Sequence, residues 1–225
     1  EKKIWSVRQS VYQFFTDHQT APTINNLASI LKLSEGEVRA NLIELDQHHH
    51  ALAFSAEEDQ ITMAWPFSAT PTPYPVVTPK GKYLSNCAWD ALSIPYLVGQ
   101  DAETEYACPD CDQPVIIKFK DGLLEPTEAV VHFSVAPKIF FEDLGCIWQT
   151  NQLFRSEEHA KDYCKNNQIE LGAIVPAQQA FEFGKLWFGQ MLDLEWRPMD
   201  KNTIKQIISG AGLIGDFWKL DDSPS

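Results

Sequence analysis

Cys87 and Asp90 stand three residues apart in "YLSNCAWDALSIP", a stretch that reads as helical and follows a proline-rich segment. Side chains at i and i+3 lie on one side of a helix, so a thiol and a carboxylate can face one pocket there. An ordinary thiol is only a few per cent ionised at neutral pH. A carboxylate beside it disfavours the thiolate by charge but can accept its proton. The pair therefore points to proton shuttling, in which Asp90 takes a proton from Cys87 and passes it on. The same spacing also suits a buried Cys behind a capping Asp. A second thiol, Cys146, lies in "DLGCIWQ" after Gly145, whose lack of a Cβ permits close backbone approach. Cys146 also reads as a small core residue beside Phe140, Phe141 and Ile147.

The remaining cysteines are Cys108, Cys111 and Cys164. "CPDC" supplies half of a zinc site, and no second Cys or His pair follows at matching spacing. The expectation is therefore a turn between two strands with one thiol buried, and no structural zinc or other cofactor. Cys164 reads as packing, and "HHH" at His48 to His50 as a solvated turn. No P-loop, nucleophile elbow or HExxH is present.

These residues need a scaffold, and the chain has 225 residues, 44% of them apolar and 22% charged, enough for a two-part globular fold. Residues 1–65 read as one unit. Ile4, Val7, Val11 and Phe14 mark a first helix and residues 23–33 a second, while Ser34 and Glu37 form a capping box opening a third. "ALAFSAEEDQITMAW" then reads as a hairpin turning at Glu57 to Asp59, which completes a winged-helix-like pattern.

Residues 1–65 carry five basic and nine acidic side chains, and the third helix opposes Glu35, Glu37, Glu44 and Asp46 to a lone Arg39. That helix would meet phosphates with the wrong sign, so a cap or a homodimer contact fits better than nucleic acid. The whole-chain charge of −13 argues likewise against nucleic acid and anionic membranes.

Residues 66–79 hold five prolines and predict a stiff linker or strap. Residues 80–225 mix β-like runs ("TEYACP", "PVIIKFK", "EAVVHFSV") with helices at "SEEHAKDYCKNN", "AQQAFEFGKLWFGQML" and near Asn202 to Ser209. Irregular alternation predicts an α+β, mixed-sheet domain. No apolar run could span a membrane. An odd number of cysteines in a chain of this length predicts a reduced, cytoplasmic protein. The chain opens at Glu1 with no initiator Met, which suggests a longer natural chain.

Four stretches, in order, resemble the organomercurial (alkylmercury) lyase family: "YLSNCAWDALSIPYLVG", "CPDCDQPV", "GCIWQTNQLFRSEEHAKDY" and "LGAIVPAQQAFEFG". The resemblance covers most of residues 1–190 and includes an N-terminal winged-helix-like unit. It implies that Cys87 and Cys146 are the two catalytic cysteines, that Asp90 is the catalytic aspartate and that Cys108 is structural. The implied chemistry is protonolysis of a carbon–mercury bond. Two soft thiolates and Asp90 would hold mercury as substrate and product, Asp90 would protonate the departing carbon, and a thiol acceptor would remove mercuric ion. Asn86 departs from the pattern, standing where better-known members carry an aromatic residue. The other reading of the same cysteines is a non-catalytic thiol-based metal binder or sensor with a winged-helix interaction module.

Overall fold

A computed structural model describes residues 2–139 and 151–220 of the chain. Three helices come first: α1 (Lys2–His18), α2 (Ile24–Leu31) and α3 (Glu35–Gln47). Thr23 and Ser34 cap α2 and α3 through reciprocal bonds with Asn26 and Glu37, so two orphan donors at each helix start are satisfied. The hairpin follows as β1 (Ala53–Ser55) and β2 (Gln60–Ala64), turning where expected. Of the two adjacent phenylalanines of α1, Phe15 is buried and Phe14 half-buried. Both positions follow Val11 by about one turn; stacking of Phe15 on Phe67, at 5.3 Å between ring centroids, selects the second.

The proline-rich stretch contributes strands to two sheets. Phe67–Ser68 forms β3 against β2, and Pro75–Thr78 forms β4 between two neighbours of a second sheet. Pro75 is tolerated because it opens its strand, where a missing N–H costs little. That sheet runs β5-β4-β6-β7-β8, with β5 (Gly81–Leu84), β6 (Ala102–Ala107), β7 (Pro114–Lys120) and β8 (Leu123–Leu124). β7 alternates buried and exposed residues along its whole length, the signature of a sheet with one covered face. A third sheet has β9 (Val130–Phe133) between β10 (Gln152–Phe154) and β11 (Ala173–Pro176). The domain mixes strands and helices as expected, and its described strand pairs are all antiparallel; tight turns such as those joining β4 to β5 and β6 to β7 permit nothing else.

Helix α4 (Ala88–Val98) runs through the middle and is buried on nearly every side. It packs on α6 (Ala177–Phe188): Trp89 stacks on Phe183 at 4.4 Å, and its Nε1–H donates to the Ala180 carbonyl at 3.0 Å. Helix α5 (Glu157–Asn166) is capped by Ser156, as its sequence predicts. Helix α7 (Lys201–Gly210) belongs to a C-terminal extension that folds back onto the rest. Trp218 packs on Phe133 and Phe183, and the Trp196 ring lies 3.8 Å from the guanidinium of buried Arg8 on α1. The N-terminal helices therefore share one core with the domain that follows them. No helix among the described residues is long and apolar enough to cross a membrane.

Candidate active site

Cys87 is the N-cap of α4 and Asp90 is the third residue inside it. This is the spacing of a capping box, in which an acidic side chain at the third position folds back toward the cap. Both side chains are fully buried. The sequence-predicted pair is thus brought together by the helix start itself.

Burial controls the protonation of both groups. It lifts the Asp90 carboxyl to about 8, although hydrogen bonds from Asn86 and Cys87 pull the other way. At pH 7 the acid form therefore predominates. Burial also raises the Cys87 thiol well above its ordinary value, and negative charge on Asp90 raises it further. The backbone N–H groups of Trp89 and Asp90 and the Asn151 amide act in the opposite sense, as a helix N-terminus does for a thiolate. Desolvation wins, so the resting site holds a thiol and a carboxylic acid.

Two asparagines that sequence reasoning did not single out for chemistry complete this shell. The Asn86 amide donates to Asp90 Oδ2 at 3.2 Å and also to the Pro66 carbonyl at 3.3 Å. The Trp65–Pro66 bond that precedes this carbonyl is cis. Asp90 Oδ1 has no hydrogen-bond partner among the described residues. The Asn151 side-chain amide points at Cys87 Sγ at 3.8 Å, and the Asn151 backbone carbonyl accepts from the Ala88 N–H at 3.1 Å. Asn86 is close to Asp90 in sequence, so its polar side chain in an apolar run was a usable signal. Asn151 lies 64 residues from Cys87 and gives no local signal. Tyr74 and Tyr106 lie edge to face at 5.6 Å, both with hydroxyls raised by burial and, in lesser part, by Cys87.

Cys146, the third predicted site residue, lies outside the described residues. Cys164 is buried as expected, its Sγ 3.6 Å from His132 Nε2. His48 is exposed and His49 half-buried, both beside Glu44 at 3.8 and 3.9 Å. Cys108 is fully buried in the turn after β6, and it meets Cys111 and His159 there.

The alkylmercury lyase (MerB) family model matches residues 67–189. Among solved structures, a crystal structure of the mercury-bound form of MerB2 matches with a TM-score of 0.63. That match has 20% identity and covers 85% of this chain and 98% of the other. At this identity the likeness shows the fold. No curated protein matches the sequence.

Proposed function

Because this chain belongs to the alkylmercury lyase family, we propose that it cleaves the carbon–mercury bond of organomercurials by protonolysis. The observation that carries this reading is the meeting of a buried thiol, Cys87, with a buried acid that keeps its proton at neutral pH, Asp90.

Mercury enters as substrate. A sulfur–mercury bond forms at Cys87, and the thiol proton leaves with the ligand that mercury brought in. Soft sulfur suits this metal, and its electron density weakens the bond to carbon. Cys146 is the second sulfur in this proposal, its thiol proton leaving to solvent as the sulfur binds mercury. The Asp90 O–H then transfers its proton to carbon as the carbon–mercury bond breaks, giving a hydrocarbon, a carboxylate and mercuric ion bound to sulfur. Asn86, already donating to Asp90 Oδ2, stabilises the new carboxylate. A thiol acceptor takes the mercuric ion, and Asp90 regains a proton. Since the resting carboxyl is already protonated, the first turnover needs no transfer from Cys87. A reduced, thiol-rich cytoplasm would suit such an exchange, and the four described cysteines are all free.

The N-terminal unit is read as a winged-helix-like cap on the catalytic domain that does not read DNA. Supporting this, Glu35, Glu37 and Glu44 of α3 are exposed, and the Arg39 guanidinium is tied to Asp59 at 2.7 Å.

Hydrocarbon release from an organomercurial tests the proposal. Wild type should turn over, Cys87→Ser should lose activity, and Asp90→Asn should bind mercury without releasing hydrocarbon. Mercury binding with no turnover in wild type would leave the non-catalytic binder.

A further inference from the structure

The turn between β6 and β7 is tightly built. The Cys108 N–H donates to the Gln113 carbonyl and the Asp112 N–H to the Cys108 carbonyl, each at 2.9 Å, with Asp112 at φ 58°. On sequence alone its two cysteines lack further zinc ligands. The fold brings a third donor from α5, where His159 sits in the first turn, 49 residues beyond Asp110. The ligand atoms of Cys108, Cys111 and His159 all lie within 4.8 Å of one another. His159 Nδ1 is 2.6 Å from Asp110 Oδ2. An ionised carboxylate can only accept, so the proton sits on Nδ1 and the lone pair of Nε2 is left for a ligand. Carboxylate–imidazole pairs of this kind orient metal-bound histidines.

We propose that Cys108, Cys111 and His159 hold a zinc ion that clamps the β6–β7 turn to the start of α5. Two thiolates and an imidazole are a zinc donor set. Bonds of ~2.3 Å at tetrahedral angles place two sulfurs ~3.8 Å apart, so small side-chain adjustments from the present spacing close the site. Cys108 is buried, whereas Cys111 and His159 are half-buried, so the fourth position faces solvent and takes water. Metal entry replaces the two thiol protons, which leave to solvent. The charge of the ion then balances the two thiolates. This site does not depend on the lyase reading, because it uses neither Cys87 nor Asp90.

Metal analysis of the purified full chain, with zinc in the growth medium, tests the site. Wild type should carry about one zinc per chain, and Cys87→Ser should carry the same. Cys111→Ser and His159→Ala should lose it; both side chains are half-buried, and circular dichroism checks that the variants fold. Asp110→Asn should weaken zinc affinity about ten- to hundred-fold. Cobalt(II) substituted into wild type should show a thiolate charge-transfer band that disappears in Cys111→Ser. Wild type that neither carries nor takes up zinc would overturn the proposal. So would zinc retained in both Cys111→Ser and His159→Ala, or lost in Cys87→Ser instead.

Discussion

Asn86 donates to the Oδ2 of Asp90 at 3.2 Å from the residue just before the α4 N-cap, and the same amide reaches the Pro66 carbonyl at 3.3 Å. The acid is thereby fixed to the strand-forming segment that joins the N-terminal unit to the domain. Among the described residues it is oriented by neutral donors, from Asn86 and Cys87, rather than by a cation. Burial consequently dominates its protonation, while the amide favours the carboxylate form.

Removing that amide should show in the pH dependence of turnover. In the proposed reaction the acid form of Asp90 is the proton donor, so activity should fall as pH rises through about 8. In Asn86→Leu the carboxylate loses its donor, and the alkaline limb should move upward by about one pH unit, as a lost hydrogen bond to a charged group implies. Hydrocarbon release measured across pH checks this. An unmoved limb would show that Asn86 does not act on the proton.

Asp90 also links stability to pH. Its folded pKa lies above its unfolded one, so between about pH 4 and pH 8 the native state holds a proton that the unfolded chain has lost. Its contribution to stability is therefore complete below the unfolded value and declines as pH rises, by about 1.4 kcal/mol per pH unit, until the folded pKa is passed. Asp90→Asn cannot ionise and should remove this slope. Urea unfolding of both proteins between pH 5 and 8, compared as a difference, is the measurement. Parallel curves would mean that Asp90 is solvated in the native state.

The Asn151 amide should tune the thiol. It is one of the groups that favour the thiolate of Cys87, from 3.8 Å. In Asn151→Leu the thiol pKa should rise further, and alkylation of Cys87 at fixed pH should slow by about two- to tenfold, the range of one modest hydrogen bond. Mass spectrometry of the labelled peptide reads this directly. Unchanged labelling would place the amide outside the thiol's electrostatic reach.

Much of this was legible in the sequence because it is local. The Cys87–Asp90 pair, the caps at Ser34 and Ser156 and the β7 strand all follow from spacing within one turn or one strand. What was not legible depends on long-range contact. Phe15 rather than Phe14 enters the core because Phe67 is there to stack on it. Residues 66–79 suggest a stiff linker or strap by their prolines, but that β4 forms within them depends on the partners that β5 and β6 supply on both sides. Asn151 and His159 carry no local pattern. Each gains its meaning from a residue of another element, Cys87 for one and Asp110 for the other.

One close approach helps to set the position of α4 against α6. Gly184 of α6 lies against Ser93 of α4, and a Cβ added there would fall 2.1 Å from Ser93 Oγ and 3.3 Å from Trp89 Nε1. The Ser93 hydroxyl is held in turn, donating to the Trp89 carbonyl at 2.9 Å. Gly184→Ala must push the helices apart or turn Ser93 out of its rotamer, which should destabilise the fold by about 1–3 kcal/mol. Because α4 carries Cys87 and Asp90 at its N-terminus, turnover should fall along with stability. Adding Ser93→Ala removes the nearest atom and should recover part of both losses. Thermal unfolding and hydrocarbon release measured on the single and double variants form a complete cycle, and purely additive losses would show that the two helices do not meet at this pair.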